Sequence, residues 1–138
     1  MSARDEQHAN TVDRQRIRLL LVDDEANLTT LMKMNLEQLG PYEVRMENDP
    51  RRALAAAQAF RPDVIILDFL MPGLNGAQVA VAIQADGSFK NTLGLFLTGS
   101  VNRQNVGKWA DNMSWPCLTK PVTAEALNAW IEAHLPKK

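Results

Sequence analysis

Five short apolar runs alternate with amphipathic stretches along this chain, and four of those runs lead into polar residues. Ile17 to Val22 runs into Asp23-Asp24, Val64 to Leu67 into Asp68, Leu93 to Leu97 into Thr98, and Trp115 to Leu118 is followed closely by Lys120. Strands that alternate with helices lie parallel, so their carboxyl ends share one edge of the sheet. That edge then gathers three carboxylates, a hydroxyl and an ammonium. Carboxylates so crowded repel unless a divalent cation sits among them. A hydroxyl and a lysine opposite suit the oxygens of a phosphoryl group. The pattern predicts an α/β protein with a doubly wound, five-stranded parallel sheet and five helices, whose edge holds a metal ion and a phosphate together.

The helices follow from the spacing between the runs. Leu28, Leu31, Met32, Leu36 and Leu39 recur at helical intervals until Gly40-Pro41. Tyr42 to Met46 reads as the second strand, and Asp49-Pro50 as an N-cap and first helical residue, with Leu54, Ala57 and Phe60 on the buried stripe. Met71-Pro72-Gly73 forces a loop, Asn75 can cap a third helix carrying Val79 and Ile83 inward, and Asp86-Gly87-Ser88 closes it. A fourth helix is expected from about Val101 to Asp111, and a last one from near Thr123 with Leu127, Trp130 and Ile131 inward. Residues 1–16 are polar and aperiodic and read as a flexible arm; 17–138 read as one folded domain.

A net charge of −1, with no run of five like charges, gives no electrostatic reason to expect nucleic acid or an anionic membrane as partner. The one cysteine, Cys117, cannot form an internal disulfide, which suits a reducing cytosol. The first sixteen residues lack the apolar core of a secretory signal, and no apolar run nears the roughly 18 residues of a spanning helix. The expectation is a cytoplasmic protein.

The motifs, taken in order, resemble the receiver domains of two-component response regulators. LLLVDDE at 19–25, IILDFLMPGLNG at 65–76, LFLTGS at 95–100 and LTKP at 118–121 carry the likeness. The intervals match as well: 44 residues from Asp24 to Asp68, 30 more to Thr98, and 22 more to Lys120. The resemblance implies a flavodoxin-like sheet of order 2-1-3-4-5, as in stand-alone receivers of the CheY type. It implies that Asp68 accepts a phosphoryl group from a histidine kinase or a histidine phosphotransfer protein. Mg2+ would be held by Asp23, Asp24, Asp68 and the backbone carbonyl of Leu70, with Asp24 the nearer of the first two. Lys120, before a proline whose peptide bond is often cis, would meet the phosphoryl oxygens, and Thr98 would turn toward them after transfer. The switch would act through contacts with a downstream protein target, and family members can pair as homodimers through the fourth-helix face. It would catalyse only its own phosphorylation and dephosphorylation, and is not read as an enzyme on outside substrates.

Two features depart from that pattern. Cys117 stands where the family usually has an aromatic residue that swings inward on activation, and Trp109 and Trp115 are the candidates to supply the missing bulk. Leu70, two residues after the acceptor, offers no hydrogen bond to an attacking water, so a phosphorylated state longer-lived than in a polar-substituted variant is expected. A haloacid-dehalogenase-type hydrolase would need a second acid two residues after the nucleophile, and Phe69-Leu70 follow Asp68 instead. The alternative carried forward is a pseudo-receiver, a protein-binding module that takes no phosphate; Cys117 is the feature that favours it.

Overall fold

The computed structural model describes residues 16–69, 76–98 and 115–135. Strands β1 (Ile17–Val22), β2 (Tyr42–Glu47), β3 (Val64–Asp68), β4 (Leu93–Thr98) and β5 (Cys117–Thr119) form one sheet of order β2-β1-β3-β4-β5. Every pairing is parallel, as the alternation of elements requires. Four α-helices accompany them among the described residues, three between strands and one after the last: α1 (Ala26–Leu39), α2 (Ala53–Phe60), α3 (Gly76–Ala85) and α4 (Ala124–His134). The helix expected at 101–111, the loop at 71–73, Asn75 and all but the last residue of the arm lie outside the described residues.

Alternation along each strand divides the core into two layers. Leu20, Val22, Ile65, Leu67 and Phe96 face α2 and α3. Leu19, Leu21, Ile66, Leu95 and Leu97 face Leu36 of α1 and Leu127 and Ile131 of α4. With helices on both faces, the central strands are apolar throughout, and all five residues of β3 are buried.

Local signals act largely as expected. Asp49 accepts a hydrogen bond from the backbone N–H of Arg51 and opens a 3-10 turn (Pro50–Arg52) that leads into α2. Thr123 caps α4 by accepting from the N–H of Ala126. Asp86 accepts from the N–H of Ser88 and ends α3 in a second 3-10 turn. In α2, Ala57 and Phe60 are buried, while Leu54 is only partly covered.

Two expectations need correction. β5 begins at Cys117 rather than Trp115, because Pro116 has no N–H for the ladder; its carbonyl still accepts from Phe96 N at 2.9 Å. The apolar stripe of α1 is only partly core. Leu36 is fully buried, but Leu28, Leu31 and Leu39 are 52%, 56% and 41% exposed. The inward place two turns before Leu36 is taken by Thr29, whose hydroxyl is satisfied by the carbonyl of Ala26 at 2.9 Å.

Candidate functional site

The carboxyl edge of the sheet brings the singled-out residues together. Register aligns Val22 with Leu67, Asp68 with Leu97, and Thr98 with Thr119, so the residues that end β1, β3, β4 and β5 sit side by side. Asp68 and Thr98 are the last residues of their strands, and Asp23 and Lys120 each follow one directly. Asp23, Asp68 and Thr98 are buried, and Asp24 is exposed.

Carboxylate oxygens of Asp23, Asp24 and Asp68 lie within 4.8 Å of one another. Such hard, anionic oxygens at that spacing are the donor set that magnesium or calcium takes, with waters completing the shell. The ammonium of Lys120 stands over them, 3.0 Å from Asp23 Oδ2 and 3.4 Å from Asp68 Oδ2. Burial pushes that ammonium toward neutrality, but the hydrogen bond it donates to Asp23 and the charges of Asp68 and Asp23 together outweigh it. Its pKa is therefore raised above the ordinary lysine value, and it stays charged.

The backbone holds Lys120 in place. Its N–H donates to the carbonyl of Thr98 at 2.6 Å, and the Lys120–Pro121 peptide is cis. Asp23 is fixed at both ends: its N–H donates to the carbonyl of Glu47 at 3.2 Å, and its Oδ1 accepts from the N–H of Glu25 at 3.0 Å. The acids before α1 do not cap it through the side chain of Glu25, which makes no capping bond. Leu70, Gly99 and Ser100 lie outside the described residues.

Sequence reading missed two neighbours of this pocket. Asn48, which belongs to no motif, reaches the backbone of Asp23 from the turn after β2. The exposed Leu28 and Leu31 of α1 line an open groove of about 620 Å³, with Pro121, Val122, Asp23 and Lys120 also in its lining. A helical apolar stripe gives no sign that half of it borders a groove. No described helix is long and apolar enough to cross a membrane.

Comparison with known proteins agrees with this geometry. A family model described as response regulator receiver domain matches residues 19–132. Among curated proteins, the chain is 33% identical over 119 residues to the transcriptional regulatory protein TrcR of Mycobacterium tuberculosis, covering 86% of this chain and 45% of that protein. It is 31% identical over 131 residues to the alkaline phosphatase synthesis transcriptional regulatory protein PhoP of Bacillus subtilis, covering 86% and 48%. The chain thus spans about half the length of the curated relatives it matches. Among solved structures, the chemotaxis protein CheY4 of Vibrio cholerae superposes with a TM-score of 0.77 at 30% identity, over 86% of this chain and 98% of that one. Receiver domains are signalling switches rather than enzymes on outside substrates, and the family works with histidine kinases and downstream targets. The chain belongs to the response regulator receiver domain family of two-component signalling.

Proposed function

We propose that this chain is a phospho-accepting switch in which Asp68 takes a phosphoryl group from a histidine kinase or histidine phosphotransfer protein. The observation that carries the reading is the meeting of three carboxylates within 4.8 Å with a lysine ammonium 3.0 and 3.4 Å from two of them. In the transfer, an oxygen of Asp68 forms a bond to phosphorus as the phosphorus–nitrogen bond of the donor breaks, and the imidazole keeps the electron pair. The moving group spreads charge over its equatorial oxygens, so the protein's task is positioning and charge neutralisation. Asp23, Asp24, Asp68 and the carbonyl of Leu70 would hold Mg2+, which would supply charge neutralisation for the transfer. Lys120 would supply a second positive group, and Thr98, at the end of β4, would turn its hydroxyl toward a phosphoryl oxygen after transfer. The working compartment is the cytoplasm, where the kinase's ATP and magnesium are found.

The groove beside the pocket supports a protein as donor. Asp68 is 7% exposed, so a donor side chain must be delivered into a recess, and the partner's body must rest on its rim. The exposed Leu28 and Leu31 facing Pro121 and Val122 offer an apolar rest for a helix next to Asp23 and Lys120.

Intact-protein mass spectrometry after incubation with acetyl phosphate tests the chemistry. A magnesium-dependent gain of one phosphoryl group, lost in Asp68→Ala, is expected. No adduct and no beryllofluoride binding, where a control receiver shows both, would overturn the reading in favour of a pseudo-receiver.

A further inference from the structure

Asn48 lies in the turn after β2, outside the carboxylate cluster, yet its side-chain amide is committed to the peptide that joins the two neighbouring acids. Nδ2 donates to the backbone carbonyl of Asp23 at 2.7 Å and to Thr29 Oγ1 at 3.1 Å. Thr29 is 2% exposed, and its hydroxyl donates to the carbonyl of Ala26 at 2.9 Å, with that of Glu25 at 3.3 Å. The Asp23–Asp24 peptide is therefore tied through Asn48 to the first turn of α1. Rotation of that peptide moves both carboxylates at once relative to Asp68, which is anchored separately at the end of β3.

We propose that Asn48 is a positioning residue for the divalent cation of the acidic pocket, fixing the peptide between Asp23 and Asp24 and so the placement of their carboxylates against Asp68. The inference rests on reading this pocket as a magnesium site. Asn48 stands to the acids as an outer-shell hydrogen-bond partner stands to metal ligands, and loss of such partners commonly weakens binding by about 10–100-fold. Magnesium demands near-ideal octahedral oxygens, whereas calcium accepts looser and larger coordination. Loosening the peptide therefore costs magnesium more than calcium. A general loss of folded protein would lower both alike.

The test is calorimetric titration of the full chain with Mg2+ and, separately, Ca2+, without phosphodonor, for wild type, Asn48→Ala and Asn48→Asp. Asn48→Ala should weaken magnesium binding about tenfold and calcium binding less, so that the ratio of affinities falls. Asn48→Asp keeps the shape, replaces the donor by an acceptor, and decides the question if the alanine variant does not fold. Its added charge alone would strengthen both metals, so a fall in the magnesium-to-calcium ratio identifies the lost positioning bond. An unchanged ratio in the folded variants, in a wild type that binds magnesium, would overturn the proposal. Failure of wild type itself to bind magnesium would instead overturn the reading of the pocket on which it rests.

Discussion

Gly94 shows how one residue without a side chain can set the packing around a departure from the family pattern. A methyl group built on Gly94 would lie inside the Trp115 indole, so the ring rests directly on the backbone of β4. Trp115 packs against Phe96 with ring centroids 5.4 Å apart, and Phe96 meets Phe69 edge-on at 5.3 Å. Among the described residues, Trp115, Phe96 and Phe69 supply aromatic bulk on this face, while Cys117 is a small, partly buried residue packed against the same cluster. Gly94→Ala should cost about 1–3 kcal/mol, the usual range for overpacking a filled core. In a double-mutant cycle with Trp115→Leu, much of that cost should vanish, because the smaller side chain leaves the methyl room. Urea unfolding of the four proteins measures the coupling, and additive effects would show that Trp115 does not hold this position in solution.

Lys33 and Glu37 of α1 close the open edge of the sheet. β2 is an edge strand, and the backbone N–H and C=O of Val44, whose side chain is buried in the core, would otherwise be left unpaired at that edge. Lys33 Nζ donates to the Val44 carbonyl at 3.0 Å, and Glu37 Oε2 accepts from the Val44 N–H at 3.0 Å while pairing with Lys33 at 2.8 Å. Burial works against the Glu37 charge, but hydrogen bonds from Lys33 and Val44 outweigh it and hold its pKa below the ordinary 4.5. A carboxylate with a depressed folded pKa stabilises the fold above its unfolded pKa, and that contribution is lost as pH falls through the folded value. Wild type should therefore lose stability below pH 4.5, and Glu37→Gln should lack this part of the loss. Denaturant midpoints of both proteins measured down the acid limb check it; parallel curves would exclude the clasp as a source.

The same helix shows where the sequence stops being legible. β1, β3 and β4 could be read because strands covered on both faces must be apolar throughout, and parallel topology then places Asp68 and Thr98 on one edge without further information. The face of α1 could not, since Leu28 and Leu31 fit a helical stripe as well as Leu36 does. The choice was made by Thr29, a polar residue whose hydroxyl is satisfied locally and by Asn48. Lys33 and Glu37 have the i, i+4 spacing of an ordinary surface pair, and only the position of β2 reveals what they hold. Asn48 carries no motif at all, because its role lies in contacts to backbone groups that many residue types could have met otherwise.

At the scale of the whole molecule, the acidic pocket and the apolar groove open beside each other, which separates two ways of reaching Asp68. On the proposed reading a small phosphodonor would need only the pocket, with its carboxylates, Thr98 and Lys120. On that reading a protein donor must also bury surface, and among the described residues the groove between α1 and the Pro121–Val122 segment leaves large apolar side chains uncovered beside Asp23 and Lys120. Leu28 and Leu31 are more than half exposed, so replacing them should shift stability by no more than about 0.5 kcal/mol. Leu28→Glu with Leu31→Glu should therefore leave labelling by acetyl phosphate unchanged and slow transfer from a phosphorylated histidine-bearing protein about tenfold or more, since a buried carboxylate without a partner opposes docking. Paired time courses with the two donors measure this. Equal slowing with both donors would point to damage at the pocket, and no slowing with either would move the docking surface elsewhere on the molecule.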